Sequence, residues 1–135
     1  MSHVDAGVRQ AAIRNLIAAG CFGAYGLTLS AVQVATGLGV PCLWRELTGT
    51  LCPFCGATRM GSALLVGDLP GAWSANPFVL ISLGVLGLAV VSWAVTALGG
   101  PRLRPPGALS AGRTWFWLAT VAAAGFMVFR NLLPG

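Results

Sequence analysis

The chain has 135 residues, of which 56% are hydrophobic and only 8% are charged, and its mean hydropathy is +0.81. Because about a quarter of the residues in soluble domains are charged, this composition excludes an ordinary soluble domain and favours a membrane protein with a few helical spans. The net charge of +5 comes from eight basic residues, all of them arginine, against three acidic ones; the arginines are scattered between apolar runs, which indicates membrane orientation rather than a nucleic-acid partner.

Three segments are long and apolar enough to cross a bilayer, and we expect spans at about 16–40, 77–98 and 114–133. The first is uncharged, and its only strongly polar side chain is Gln33. It is longer than the apolar core of a signal peptide and lacks a convincing cleavage site, so we expect it to be retained. The second span begins at Pro77, which suits the first helical position, and follows Asn76, a good N-cap.

The distribution of arginines predicts the orientation. With three spans, five arginines fall on the side of the N-terminus, and Arg45, Arg59 and Arg130 fall on the other. The positive-inside rule then places the N-terminus in the cytoplasm and the segment 41–76 outside. The absence of lysine and the abundance of Ala, Gly and Leu are typical of a GC-rich bacterial genome, so we expect a multi-pass protein of the bacterial inner (plasma) membrane.

The segment 41–76 is too long for a turn and too apolar for a free loop. We expect a short helix over 58–66 that ends at Gly67, and a second short helix with Asp68 as its N-cap. This segment should lie on or dip into the outer membrane face and pack against the spans or a partner. We therefore predict an all-α membrane protein in a single domain, 1–135, of about three transmembrane helices with a short helical interfacial or re-entrant loop between the first two.

Three of the four cysteines, Cys42, Cys52 and Cys55, lie within fourteen positions of this segment. The Cys52–Cys55 motif is expected to open the first short helix, where free N–H groups favour a thiolate and Arg59 adds positive potential. Three chemistries compete: an oxidised structural pair, either Cys52–Cys55 or Cys42 with one of them; a soft metal ion such as zinc or copper(I); and disulfide exchange with Cys42 as the resolving thiol.

The other possible ligands lie elsewhere in the sequence. A closed zinc site needs a fourth ligand, but the only histidine, His3, is expected across the membrane. Cys21 falls inside the first span, where we expect it to be a small buried apolar residue. There is no phosphate-binding glycine loop, no acid pair and no Ser-His-Asp set in the sequence, so no catalytic residue is predicted.

Polar residues near apolar surroundings form a second candidate group. Arg59 and Asp68 flank the short helix and are expected to form an ion pair, while Arg130 and Asn131 end the last span on the side of the cysteines. That pair either caps the cysteine segment or binds a lipid phosphate, and outward snorkelling of Arg130 explains its position equally well. The predicted supporting polar site comprises Thr58, Arg59, Asp68, Asn76, Arg130 and Asn131.

These residues fall in an ordered set of motifs: Pro41-Cys42, Leu47-Thr48-Gly49, Cys52-Pro53-x-Cys55-Gly56-x-Thr58-Arg59, Gly67-Asp68, Ala75-Asn76-Pro77 and Arg130-Asn131-Leu132. The set resembles a widespread bacterial family of small integral membrane proteins of unknown function with a C-P-x-C-G-x-T-R signature followed by G-D and N-P. The resemblance covers roughly 41–133. It implies a few-helix integral membrane protein and no established reaction.

Two functional hypotheses follow. The first is a non-enzymatic accessory subunit of a larger membrane complex, with a disulfide- or metal-cross-linked extracytoplasmic cysteine loop. Its partners would be the lipid bilayer and other membrane subunits or further copies of the chain. The second is a membrane thiol-disulfide or electron-transfer protein that uses the Cys52–Cys55 pair and is coupled to quinones, loosely like the helical-bundle enzymes that make disulfides at the membrane face. Those enzymes have at least four spans.

Overall fold

The computed structural model describes residues 3–100 and 112–132, and every regular element within these ranges is a helix. The predicted all-α class, with three long apolar helices and short helices between the first two, is confirmed. The elements are α1 His3–Thr36, α2 Leu43–Thr48, α3 Ala57–Leu65, α4 Leu69–Ala75, α5 Pro77–Ala97 and α6 Gly112–Leu132.

The helices long and apolar enough to span a membrane are α1, α5 and α6. At 1.5 Å per residue, the 21 residues of α5 extend about 31 Å, which matches the hydrocarbon core of a bilayer. The first span ends at Thr36, earlier than the expected 40, because Gly37 adopts a left-handed φ of 70° and its N–H closes the last turn on the carbonyl of Gln33.

Two of the long helices pack side by side in opposite directions. Arg9, near the start of α1, donates a 2.9 Å hydrogen bond from Nε to the carbonyl oxygen of Ala97 at the end of α5. Near the other end of α1, α3 packs against it. There a Cβ on Gly61 would collide with the Oγ of the buried Ser30, so glycine permits the close approach of these two helices.

The segment between α1 and α5 folds into three short helices. The predicted helix over 58–66 corresponds to α3, and Asp68 caps α4 as expected, since its Oδ1 accepts a 2.8 Å hydrogen bond from the N–H of Gly71. No pattern in the sequence predicted α2, which ends at Gly49 with a φ of 70°. This fold places the turn that carries Cys52 and Cys55 against the start of α5 and the end of α6.

The third long helix, α6, is joined to the rest of the described structure by hydrogen bonds and ring contacts in its last two turns, from Phe126 to Leu132. The most apolar stretches of the three long helices have only 6%, 0% and 0% of their residues buried within the chain. Most of their apolar surface is therefore available to lipid or to other protein.

Candidate functional site

Cys42, Cys52 and Cys55 come together in the loop between α1 and α5. The Sγ atoms of Cys42 and Cys52 are 3.2 Å apart, those of Cys52 and Cys55 are 3.5 Å apart, and all three lie within 4.8 Å of one another. All three are free thiols; Cys55 is buried and the other two are half-buried. Among the residues that the structure describes, no other group of three or more His, Cys, Asp or Glu side chains has ligand atoms this close.

The turn that carries two of the thiols precedes α3 rather than forming its first turn. The N–H of Cys55 bonds to the carbonyl of Cys52 at 3.1 Å, and the N–H of Ala57 bonds to that of Phe54 at 3.0 Å. Gly56 then has a φ of 86°, which an L side chain adopts only with strain, and α3 begins at Ala57. The expectation that Cys52–Cys55 opens the helix is therefore wrong, because Gly56 reverses the chain before the helix starts.

The thiols of Cys42 and Cys55 have different electrostatic surroundings. The backbone N–H of Arg45, together with the thiols of Cys55 and Cys52, lowers the pKa of Cys42 from 9.0 to about 7. Desolvation, followed by the neighbouring thiol of Cys42, raises the pKa of Cys55 to about 11. Near neutral pH, Cys42 is thus the readier thiolate of these two, whereas the sequence predicts it to be the resolving thiol of an exchange reaction.

The completely buried side chain of Asn76 holds the turn that carries Cys52 and Cys55. Its Nδ2 donates to the carbonyl oxygens of Pro53 at 2.9 Å and Cys55 at 3.0 Å, while its Oδ1 accepts from the N–H of Val79 at 3.0 Å. The predicted N-cap of α5 is confirmed, and the same amide also holds the cysteine turn. One side chain thus links the start of a span to the backbone between two thiols.

The last turn of α6 also holds this loop, through Arg130 and Asn131. Arg130 donates from Nη1 to the carbonyl oxygen of Cys55 at 2.8 Å and from Nη2 to that of Ala75 at 3.1 Å. Asn131 exchanges two hydrogen bonds with the backbone of Leu51, both 2.9 Å long. These hydrogen bonds to backbone atoms fit the capping role among those expected for Arg130 and Asn131.

Aromatic contacts that the sequence did not predict also join the Cys52–Cys55 turn, α5 and α6. The ring of Phe54, between Cys52 and Cys55, meets Phe78 of α5 edge-on at 6.2 Å, and Phe78 stacks on Phe126 of α6 at 5.4 Å. The guanidinium of Arg130 lies 5.8 Å from the Phe126 ring centre. The only available signal was the spacing of four between Phe126 and Arg130, which places them on one helix face.

The remaining predicted polar residues lie outside the cysteine cluster. Arg59 and Asp68 line a groove between α1, α3 and α4, but within the described ranges they make no ion pair within 4.0 Å, so the expected pair is not formed. Thr58 is half-buried in the first turn of α3, and its hydroxyl takes part in none of the hydrogen bonds among described residues.

Two residues considered as further ligands are not part of the cluster. Cys21 is exposed on α1, so the expectation that it is buried is wrong, because no helix in the described ranges covers it. His3 is the first residue of α1, and its side chain lies outside the described part of the structure.

Residues 42–90, which contain the three clustered cysteines, Asn76 and the start of α5, match a family model described as Protein of unknown function (DUF2752). This is consistent with the resemblance to a family of unknown function. No curated protein and no solved structure matches the chain.

Proposed function

We propose that this chain is a small, non-enzymatic integral membrane protein whose cysteine loop binds one soft metal ion through Cys42, Cys52 and Cys55. The observation that carries this proposal is the approach of all three Sγ atoms to within 4.8 Å of one another. The proposal includes an accessory role in a larger membrane complex, with the loop on the extracytoplasmic side of a bacterial plasma membrane and the N-terminus in the cytoplasm.

The spacing of the thiols suits a thiolate-bound ion. With metal–sulfur bonds of about 2.3 Å and tetrahedral angles, two ligand sulfurs lie about 3.8 Å apart. The Sγ separations are 3.2 Å for Cys42–Cys52 and 3.5 Å for Cys52–Cys55, and all three Sγ atoms lie within 4.8 Å of one another, so all three separations are close to that of two sulfurs on one ion. A disulfide would use only two of the three thiols.

The ligand type favours zinc or copper(I). Thiolates select these soft ions, and three of them would leave a zinc ion one position for an exogenous or partner ligand. Three thiolates also carry more negative charge than either ion neutralises. The guanidinium of Arg130, bonded to the carbonyl of Cys55, lies at the edge of the cluster and would offset part of that charge.

The accessory role is supported by the exposed apolar surface of the long helices, not by reactive groups. The stretches of α1, α5 and α6 that would cross the membrane are almost entirely unburied within the chain. The last turns of α6 nevertheless hold the cysteine loop through specific hydrogen bonds. A metal bound there would lock the ends of the helices together and leave their sides free for other subunits, further copies of the chain and lipid.

Metal loading of the purified protein tests this function. The reduced, chelator-treated protein is titrated anaerobically with Zn²⁺ or with Cu⁺ and then desalted. The bound metal is measured by elemental mass spectrometry. We expect one ion per chain in the wild type and in the Cys21→Ser control, and less than a tenth of that after replacement of Cys42, Cys52 and Cys55 by serine. Equal metal in the triple variant would refute the site.

A second candidate function is thiol-disulfide exchange, favoured by the lowered pKa of Cys42 and the 3.2 Å between its Sγ and that of Cys52. In that case the two thiols would join in a disulfide as two electrons and two protons pass to a quinone-class acceptor, which becomes the quinol. This pair replaces Cys52–Cys55 as the nearest partners. Differential alkylation after equilibration with a quinone distinguishes the candidates, because a pair that never oxidises excludes exchange.

A further inference from the structure

A groove of about 550 Å³ lies between the end of α1, α3 and α4, and none of the three clustered cysteines lines it. Its polar lining residues come from all three helices and are Gln33, Arg59, Ser62, Asp68 and Ser74. We refer to it as the α1/α3/α4 groove.

The groove carries one positive and one negative side chain that do not neutralise each other. Arg59 and Asp68 both line it but form no ion pair within the described ranges, where the guanidinium of Arg59 also makes no hydrogen bond. Asp68 uses Oδ1 to cap α4 through the N–H of Gly71, and Oδ2 has no partner among these residues. A ligand with both an anionic and a cationic group would complement the pair.

Gln33 lines the groove, but its Oε1 is closed to the groove ligand. Its Oε1 is buried and has no hydrogen-bond partner in the described structure. Because this oxygen has almost no exposed surface and lies near Gly39, which does not line the groove, we assign it no contact with the ligand. The hydrogen-bond donors that the ligand must supply are those that bind the Asp68 carboxylate. A quaternary ammonium has no N–H to offer, whereas a primary ammonium has three.

The position of the groove points to a membrane lipid rather than a soluble ligand. It lies where the first candidate span ends at Thr36, at the level expected for lipid head groups. The apolar side chains on and beside its walls are exposed by half or more of their surface, namely Val34, Val66, Leu69 and Trp73. Exposed aliphatic side chains and an interfacial tryptophan are suited to contact acyl chains near the head group.

We propose that the α1/α3/α4 groove binds the zwitterionic head group of an aminophospholipid of the phosphatidylethanolamine type. The lipid phosphate binds Arg59, and its primary ammonium binds the Asp68 carboxylate. This site is independent of the cysteine cluster, so chelation or cysteine replacement leaves it intact.

Native mass spectrometry of the detergent-solubilised protein tests the proposal with lipids of matched acyl chains. We expect phosphatidylethanolamine to be retained at least tenfold more strongly than phosphatidylcholine, which has no N–H, and than phosphatidylglycerol, which has no cation. Soluble O-phosphoethanolamine supplies the same polar groups without acyl chains and should bind at least tenfold more weakly than the lipid. Equal binding of the first two lipids, or tight binding of the soluble amine, would overturn the proposal.

The variants are chosen so that folding is preserved. Asp68→Asn keeps a good N-cap for α4 but loses the charge, and Arg59→Gln changes an exposed side chain; each should weaken phosphatidylethanolamine binding at least fivefold. Arg45→Gln, on α2 outside the groove, is the matched control. Unchanged binding in both groove variants would refute the assignment.

Discussion

Arg130 Nη1 donates a 2.8 Å hydrogen bond to the carbonyl oxygen of Cys55, which lies 75 positions earlier in the chain. The same guanidinium reaches the carbonyl of Ala75 through Nη2. The last turn of α6 thereby joins the cysteine turn to the end of α4, immediately before α5. If the loop binds metal, its geometry depends on a residue at the far end of the chain.

Arg130→Ala should therefore loosen the cysteine loop as well as destabilise the protein. A hydrogen bond to a charged group contributes about 1.5–3 kcal/mol, and two carbonyls would lose this donor, so we expect the free energy of unfolding to fall by about 2–3 kcal/mol. Denaturant titration in detergent measures the fall, and amide hydrogen exchange should accelerate at Cys55 and Ala57.

The matched control is Arg59→Ala, which removes the same charge from an exposed position with no hydrogen bond to the loop among the described residues. Its cost should stay within about 0.5 kcal/mol. Arg130→Lys, which keeps the charge but loses the planar fork, should fall between the two. Equal stability of the two alanine variants would show that the Arg130 hydrogen bonds contribute nothing.

Asn76→Asp separates the two tasks of this buried amide. An aspartate still caps α5, but its carboxylate cannot donate to the carbonyls of Pro53 and Cys55. We expect a loss of about 2–4 kcal/mol at neutral pH, from an unsatisfied carbonyl and a buried charge. Burial raises the folded pKa of the new carboxyl, so stability should recover as the pH falls and should not recover in Asn76→Ala.

The capping residues show what the sequence could predict. Asp68 and Asn76 cap helices that begin within three residues of them, so composition and order alone locate both. The contact between Arg130 and Cys55 depends on how α6 docks, and no local pattern contains that information. The set of motifs indicated that Arg130 and Cys55 belong to one site, but it did not predict the hydrogen bond that joins them.

Backbone reversals account for the boundaries that were predicted wrongly. Gly37 and Gly56 both adopt left-handed φ values, the first ending α1 and the second delaying α3 until Ala57. The sequence offers nineteen glycines, most of which carry no such role, so the glycine pattern alone does not identify these two. The proximity of Cys42 to Cys52 likewise could not be predicted. It depends on the intervening helix α2, whose six residues are too few to show a helical period in the sequence.

Gly56→Ala should be among the most damaging alanine substitutions in the loop. At a φ of 86° an alanine is strained by about 1–2 kcal/mol. Its Cβ would also lie only 2.8 Å from the carbonyl oxygen of Ala75. We expect a loss of more than about 2 kcal/mol in the free energy of unfolding, together with weaker metal binding.

Gly49→Ala is the control for the conformational part of that cost. Gly49 has a similar φ of 70°, but a Cβ there meets no atom within 4 Å. It should cost about 1 kcal/mol and leave metal binding unchanged. A smaller effect at Gly56 than at Gly49 would contradict the close approach of the turn to α4.

The thiols of the metal-free, reduced protein should react at different pH values. Alkylation rates follow the thiolate fraction, so the rate at Cys42 should be half-maximal near pH 7, whereas Cys55 should become reactive only as the pH approaches about 11. Iodoacetamide labelling followed by peptide mass spectrometry separates the two sites.

The stability linkage has a definite sign. Because the pKa of Cys42 is lowered from 9.0 to about 7, its contribution to stability is fully present above pH 9 and is lost as the pH falls through 7. Melting temperatures of wild type and Cys42→Ser should therefore converge as the pH falls from 9 to 6. Half-maximal labelling of Cys42 near pH 9, with melting curves that stay parallel, would mean that the Arg45 N–H and the neighbouring thiols do not stabilise its thiolate.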